Sequence, residues 1–336
     1  MASGAAATAQ QQEDWLLAGW ERSQYDDKPG PSLGVIINPD RVVVVTGVSS
    51  GIGAAIARAL AKRGCHVFGS VRKAEDAEAL AAELGDFFSP LVFDVTDPKA
   101  IPAAAKEVRS RTKGRTLLGL VNNAGMHVGQ SPLAHTPLEH IRRQMEVNVV
   151  GQVAVTQAFL PLLGMDASLQ GKPGCVVNMS SIYGSYALPF SGPYSASKAA
   201  LNLLSEALRR ELRPFGIRVV ILKPGPIRTG IWEGGLNNVT CFEGPYERAL
   251  AKLRRFAERE WSNPAWFLPP EAVGERVWKA LSAGAPAASY VVTPDWPKNW
   301  LAPTWLPTRL IDRAICARFG LLRPKARAGD RAPKAD

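Results

Sequence analysis

The 336-residue sequence contains few of the residues that build disulfide frameworks or metal sites. Its four cysteines lie far apart in the chain, and its four histidines have no metal-ligand spacing. We therefore expect reduced thiols and no bound metal. The start of the sequence lacks a cationic segment followed by an apolar run, and no stretch of eighteen uninterrupted apolar residues occurs. These features predict neither a secretion signal nor a spanning helix, and they favour a cytoplasmic protein.

Acidic residues are also in deficit, because 30 Asp and Glu accompany 40 Lys and Arg, for a net charge of +10. Half of this excess lies in residues 307–336, which contain eight basic residues and three Asp. Such a tail can be a solvated end or a site for an anionic partner. We interpret it as a solvated end and expect no nucleic-acid partner.

The chain changes character at Arg41. Residues 1–40 are rich in Ala, Gln, Asp and Pro without a sustained period, and we predict a flexible N-terminal extension. Strand-like runs then alternate with Ala-rich helical stretches. The predicted strands are 42–45, 66–71, 90–94, 117–122, 174–180 and 217–222, and the predicted helices are 74–84, 98–112, 137–163 and 195–213. This order predicts an α/β fold with a single Rossmann-type, doubly wound parallel sheet and helices on both faces.

The alternation breaks after Pro224. We predict a substrate lid at about 226–268 with a helix at 245–260, then a helix at 270–282 and a strand at 288–293. The dinucleotide-binding and catalytic domain would thus span 41–293. Residues 294–336 would form a C-terminal extension with a short amphipathic helix and a basic tail.

A glycine-rich turn follows the first predicted strand. Its spacing is Gly-x-x-x-Gly-x-Gly, and the residues are Gly47, Ser49, Ser50, Gly51, Ile52 and Gly53. Glycines at the start of a helix let backbone N–H groups approach a pyrophosphate, and both serines can donate further hydrogen bonds. The turn predicts a dinucleotide site, although a purely structural tight turn has the same composition.

The end of the second strand indicates which dinucleotide binds. The sequence there is His66-Val-Phe-Gly-Ser-Val71-Arg72-Lys73, with no acidic residue to bind the ribose hydroxyls of NAD. Arg72 and Lys73 stand where the 2′-phosphate of NADP would lie. We therefore predict NADP(H); the alternative is an ordinary solvated Arg-Lys pair.

A Ser, Tyr and Lys combination provides acid/base chemistry. Tyr194 and Lys198 lie four residues apart on one face of a predicted helix, and Ser181 ends a predicted strand. A nearby ammonium favours the phenolate, which would make Tyr194 a usable acid/base, and Ser181 could hydrogen-bond the substrate oxygen.

These motifs appear in a fixed order. The glycine turn is followed by Asn122-Asn-Ala-Gly125, Asn148, Ser181, Tyr194 with Lys198, and Pro224-Gly225. From about Arg41 to Thr229 this order closely resembles the short-chain dehydrogenase/reductase family, and in particular its hydroxysteroid and retinol dehydrogenase-like branch. The resemblance implies an NADP-dependent enzyme. It also implies that Lys198 holds the nicotinamide ribose and that Asn148 fixes a water in a proton relay.

Further cofactor contacts follow from the resemblance alone. Asn123 would line the cofactor cleft, Asp94 and Val95 would flank the adenine, and Ile227 and Thr229 would cover the nicotinamide amide. The cofactor site would also include Tyr194, Pro224 and Gly225.

Seven of nine tryptophans follow residue 231, at 232, 261, 266, 278, 296, 300 and 305. An aromatic lid would suit an apolar lipid-, retinoid- or steroid-like alcohol or carbonyl compound, although these rings could instead pack the lid to the body or to a subunit. Two alternatives remain open: a ketoacyl-type biosynthetic reductase, and a catalytically silent nucleotide-sensing protein. Met126 and His127, just after the Asn-Asn-Ala-Gly run, are candidate substrate contacts, and His127 could instead be a structural residue.

The C-terminal segment combines apolar and basic residues. From Leu306 the apolar spacings suggest one helix face, with Arg309, Arg313 and Arg318 on the other. Such a helix could lie on an anionic membrane surface, or it could dock on the enzyme's own body or across a dimer. We also expect a homo-oligomer.

Overall fold

Runs of β-branched and aliphatic residues form the strands of one parallel sheet. The computed structural model describes residues 41–230 and 244–322, all within one compact unit, Ile37–Asp336. The predicted N-terminal extension and the end of the basic tail lie outside the described residues. The strands are β1 (Val42–Val45), β2 (His66–Val71), β3 (Phe88–Val92), β4 (Gly119–Asn122), β5 (Cys175–Met179), β6 (Arg218–Pro224) and β7 (Ser289–Val292).

The strand order is β3-β2-β1-β4-β5-β6-β7, and every neighbouring pair is parallel. The chain therefore winds outward in both directions from β1, which confirms the predicted doubly wound sheet. The carboxyl ends of β1 and β4 meet at this switch point, where ligands bind in such folds.

Helices cover both faces of the sheet. The described α-helices longer than four residues are α1 (Gly51–Ala61), α2 (Glu78–Leu84), α3 (Ala100–Arg111), α4 (Leu138–Met145), α5 (Gly151–Phe159), α6 (Gly192–Glu211), α7 (Glu247–Trp261), α8 (Pro270–Ser282) and α9 (Thr308–Phe319). Alternate residues of β1 enter different cores: Val43 and Val45 pack with α1 and α8, whereas Val42 and Val44 pack with α3 and α5. This alternation is the period of a strand buried on both sides.

The predicted helix 137–163 is not one regular α-helix. A π-helical turn, Glu146–Val150, separates α4 from α5, and a 3₁₀ turn follows at Leu160–Leu163. Among the described residues, the whole stretch Leu138–Leu163 is the one helix long and apolar enough to cross a bilayer. More than half of its most apolar window is buried, so it is a core helix of this fold.

Beyond β6 the chain covers the end of the sheet. Helix α7 packs against α9 in a third apolar cluster that includes Phe190, Leu250, Leu253 and Phe319. The C-terminal helix therefore contacts the enzyme's own body, which was one of the alternatives that the sequence left open. Residues 231–243 of the predicted lid lie outside the described residues.

Candidate active site

The glycine turn packs too tightly for larger side chains. Gly47 and Gly51 have positive φ angles of 69° and 56°, which L-residues with side chains rarely adopt. A Cβ on Gly53 would stand 2.0 Å from the carbonyl oxygen of Gly47. The turn can therefore bring its backbone close to a ligand at the N-terminus of α1.

That N-terminus lacks an internal cap. Ser50 is the N-cap residue, but its side chain makes no capping hydrogen bond, and the first turn of α1 contains no acidic residue. The free N–H groups and the helix dipole therefore favour an anion there. Thr229 lies beside Gly51, because a Cβ on that glycine would be 3.3 Å from its Cγ2 atom.

A second polar group lies at the ends of β2 and β3. Arg72 and Asp94 both line the cleft. Burial raises the pKa of Asp94, but hydrogen bonds from the backbone and hydroxyl of Thr96, together with the charges of Arg143 and Arg72, lower it overall. Arg143, 3.9 Å from Asp94, also lines the cleft and was not predicted from the sequence.

Asn123 joins β4 to the glycine turn. Its Nδ2 atom donates to the carbonyl oxygens of Thr46 and Gly47, each at 3.0 Å, and its backbone N–H donates to the Thr46 hydroxyl at 2.9 Å. The side chain thus fixes the turn from the opposite wall of the cleft.

Ser181, Tyr194 and Lys198 converge at the other end of the cleft. Ser181 lies just after β5, and its Oγ atom donates to the carbonyl oxygen of Pro224 at 3.4 Å. The Lys198 Nζ atom donates to the carbonyl oxygen of Met179 at 2.8 Å and lies 5.8 Å from the centre of the Tyr194 ring. Strand β5 therefore positions both neighbours of the tyrosine.

The pKa of Tyr194 differs from the sequence-based expectation. Burial raises it, and the hydrogen bond with Ser181 only partly offsets that effect. Burial also lowers the pKa of Lys198 to about 8. The sequence predicted a phenolate stabilised by Lys198, but burial favours the protonated phenol, and the lysine is hydrogen-bonded to a backbone carbonyl.

Asn148 lies behind the cleft in the π-helical turn and is fully buried. Its Oδ1 atom accepts the N–H of Met126 at 2.8 Å, and its Nδ2 atom donates to the Met126 carbonyl at 3.0 Å and to the Ser197 hydroxyl at 3.1 Å. Ser197 in turn donates to the carbonyl oxygen of Tyr194 at 2.7 Å. Asn148 therefore links the loop after β4 to α6, the helix that carries Tyr194.

The predicted residues surround one cavity of about 920 Å³. Of the predicted set, Lys73 and Asn148 do not line it, and the rest do. The residues at its wall are Gly47, Ser49, Ser50, Gly51, Ile52, Gly53, Arg72, Asp94, Val95, Asn123, Ser181, Tyr194, Lys198, Pro224, Gly225, Ile227 and Thr229.

Residues not in the predicted site form the remaining wall. They include Gln130, Tyr183, Leu188, Leu253, Phe256 and Trp266. Of the seven late tryptophans, Trp266 lines the cavity. Trp278 packs against the core beneath α8, whereas Trp296 and Trp305 are exposed. Trp300 lies 5.0 Å from the Lys223 ammonium. Trp232 and the Trp261 side chain lie outside the described residues.

Comparisons with known proteins agree with this geometry. The sequence model of the family described as short chain dehydrogenase matches residues 41–237. The chain is 40% identical over 276 residues to an NADPH-dependent 3-dehydrocapnine reductase of Ornithobacterium rhinotracheale, covering 81% of this chain and 95% of that protein. It is 30% identical over 294 residues to retinol dehydrogenase 16 of Mus musculus, covering 82% and 88%. A solved short-chain dehydrogenase from Streptomyces avermitilis matches with a TM-score of 0.66 at 30% identity, covering 84% of this chain and 96% of that one.

Proposed function

The chain belongs to the short-chain dehydrogenase/reductase family, and we propose that it interconverts an alcohol and a ketone or aldehyde with NADP(H). The observation that carries this proposal is the convergence of Ser181, Tyr194 and Lys198 on one cleft whose other end is the glycine turn. The NADPH dependence of the 3-dehydrocapnine reductase supports the cofactor.

The residues present fit a phosphorylated dinucleotide. The uncapped N-terminus of α1 offers N–H donors to a pyrophosphate, and Arg72 at the cleft wall offers a cation to a 2′-phosphate. We propose that Asp94 and Val95 bound the adenine site, and that Ile227 and Thr229, with Pro224 and Gly225, bound the nicotinamide site. NADP(H) would supply or accept the hydride.

The chain's own residues would handle the proton. Because burial raises its pKa, Tyr194 stays protonated near neutrality and can donate to the carbonyl oxygen of a bound substrate. The Ser181 hydroxyl would hydrogen-bond the same oxygen, and the Lys198 ammonium would stabilise the phenolate left after the transfer. Asn148 would hold the Tyr194 backbone through Ser197.

An apolar substrate fits the wall beyond Tyr194. Leu188, Leu253, Phe256 and Trp266 provide aliphatic and aromatic surface there. We therefore propose a lipid-, retinoid- or steroid-like carbonyl compound or alcohol, in keeping with the retinol dehydrogenase relative.

A substrate screen tests the function. NADPH and NADH oxidation by the purified protein is measured with apolar ketones, aldehydes and ketoacyl thioesters, and we expect turnover of apolar carbonyls with NADPH. A preference for ketoacyl thioesters over apolar 3-oxo esters of the same acyl chain would favour the biosynthetic alternative. Binding of NADPH without oxidation by any carbonyl would indicate a catalytically silent protein.

We also propose that the protein works in the cytoplasm at a membrane surface. Trp305 is 81% exposed and Leu310 is 57% exposed, and Arg309 and Arg313 are exposed on the same segment. Cations near anionic lipid contribute about 1 kcal/mol each. Flotation with phosphatidylserine liposomes should carry the wild type but not a Trp305→Ser/Leu310→Ser variant. Equal flotation of both would rule out this surface.

Finally, we propose a homo-oligomer. Leu203 and Leu204 of α6 are exposed, beside a shallow groove between α5 and α6. A second copy packing on this face would bury them. Light scattering should show a dimer or larger species, and Leu203→Glu should shift it towards the monomer.

A further inference from the structure

His127 is a polar side chain beside the catalytic tyrosine that the acid/base mechanism does not use. It lines the cleft, and its ring centroid lies 5.0 Å from that of Tyr194 at an interplanar angle of 47°. A group at this distance meets the part of the substrate next to the reacting carbonyl.

The loop that carries His127 is fixed on both sides. Asn148 binds the N–H and carbonyl of Met126. Gln144, which is fully buried, donates from Nε2 to the Met126 carbonyl at 2.5 Å and accepts the N–H of Val128 at 3.0 Å. Four hydrogen bonds from two buried amides therefore fix the backbone around one histidine. Such preorganisation is what a binding group requires.

A hydrogen bond also determines the tautomer of His127. Its Nδ1 atom accepts the N–H of Gly129 at 3.1 Å, so in the neutral ring Nε2 carries the hydrogen. Burial lowers the pKa of His127 to about 4, which keeps the ring neutral near pH 7. Within 41–230 and 244–322, no protein group is hydrogen-bonded to Nε2.

We propose that the His127 Nε2–H donates a hydrogen bond to an acceptor on the substrate, one or two carbon atoms from the reacting carbonyl. This inference rests on the proposed function and deepens it. It assigns the substrate to carbonyl compounds with a neighbouring oxygen acceptor, such as 3-oxo esters. A substrate without that acceptor leaves the N–H unpaired at the cleft wall, and an enzyme disfavours a substrate that loses such a hydrogen bond.

Two ketones of equal backbone length provide the test. Ethyl 3-oxohexanoate has an ester carbonyl two carbon atoms from its ketone carbon, whereas 4-nonanone has a methylene group at that position. The kcat/KM of each with NADPH is measured for the wild type and for His127→Phe, His127→Asn and His127→Gln. Asn keeps an acceptor near Nδ1 for Gly129, whereas Gln keeps a donor near Nε2.

We expect the wild type to prefer the 3-oxo ester. His127→Phe and His127→Asn should lower that preference about 2- to 12-fold, the range of one neutral hydrogen bond, and His127→Gln should retain it. If His127 only stiffens its loop, Asn will behave as the wild type and Gln will lose activity with both ketones, which overturns the proposal.

The failure of the inference is distinguishable from that of the proposed function. A wild type that reduces both ketones without preference overturns the role of His127 and leaves the oxidoreductase intact. A wild type that fails to oxidise NADPH, whichever carbonyl compound is supplied, overturns the proposed function and the inference with it.

Discussion

Phe319 connects the C-terminal helix to the wall of the cleft, and its replacement by alanine tests whether that helix supports substrate binding. Phe319 is 2% exposed, whereas Leu310 on the same helix is 57% exposed. The Phe319 ring contacts Phe256 edge-to-face at 5.8 Å, and Phe256 contacts Trp266 in the same way at 5.8 Å. Both Phe256 and Trp266 line the cleft.

Charged contacts reinforce the same junction. The Arg318 guanidinium lies 4.1 Å from the centre of the Phe256 ring and 3.9 Å from the buried Glu260 carboxylate. Helix α9 therefore holds Phe256 by an aromatic contact and a cation–π contact, and neither involves the two cores beside the sheet. Loss of α9 docking should disturb the cleft wall while the sheet stays folded.

The size of the effect of Phe319→Ala on KM follows from these contacts. Truncation of a buried Phe to Ala costs about 3–5 kcal/mol, and here that cost falls on the docking of α9. An edge-to-face pair contributes about 0.5–1.5 kcal/mol. The Phe319→Ala variant also leaves a cavity beside Phe256, so the free energy that holds the Phe256 ring at the cleft wall should fall by about 1–2 kcal/mol. This loss corresponds to a rise in KM of about 5- to 30-fold for an apolar carbonyl substrate.

The assay compares Phe319→Ala with Leu310→Ala. We expect a raised KM, a near-normal Kd for NADPH, and faster proteolysis after residue 295 in the Phe319 variant alone. If both variants show the same KM and the same proteolysis rate, α9 does not support the cleft wall and this reasoning is wrong.

Three further variants, one of them with a matched control, test the site. Tyr194→Phe removes the proton donor, so turnover should fall about 10²–10⁴-fold while NADPH binding by fluorescence stays within a few fold; near-normal turnover would refute the mechanism. Arg72→Ala should weaken the binding of NADPH by about 10- to 150-fold and that of NADH only slightly, because a charge-assisted contact with the 2′-phosphate is lost. Lys73→Ala is the control, because Lys73 lies outside the cleft. If Arg72→Ala weakens the binding of NADPH and NADH equally, Arg72 does not bind the 2′-phosphate. Lys198→Met should abolish turnover yet raise the free energy of unfolding by up to about 3 kcal/mol below pH 8, because burial lowers the lysine pKa to about 8 from 10.5. The wild type loses this penalty as pH rises from 8 to 10.5, so the gain should shrink in denaturant titrations at pH 9.5; a gain independent of pH would contradict the buried-ammonium explanation.

The sheet could be predicted because its signals are local. Val42–Val45 is a β-branched run, and the glycines after it have positive φ or close contacts that other residues cannot adopt. Each of these features depends on neighbours in sequence, which the sequence displays directly. The end of the second strand likewise identified Arg72 by position, and the structure places it at the cleft wall.

Features that depend on partners distant in sequence were harder to predict. The apolar pattern of 137–163 suggested one helix, because an extra residue in a π-helical turn leaves hydrophobicity almost unchanged. The pKa of Tyr194 depends on its depth of burial, which spacing does not reveal. The tryptophans suggested an aromatic lid, yet an apolar side chain fits a core, a surface or a cavity equally well, and only the fold placed Trp266 at the cleft.

The π-helical turn Glu146–Val150 connects the loop that carries His127 with the helix that carries Tyr194. It orients Asn148, whose amide binds Met126 on one side and Ser197 on the other. Ser197 fixes the backbone of Tyr194, and Met126 precedes His127. The buried Asn148 side chain therefore sets the position of Tyr194, the proton donor, relative to His127, the proposed hydrogen-bond donor to the substrate. Since substrate must meet both groups at once, a change at Asn148 should alter substrate preference as well as rate, although Asn148 itself does not line the cavity.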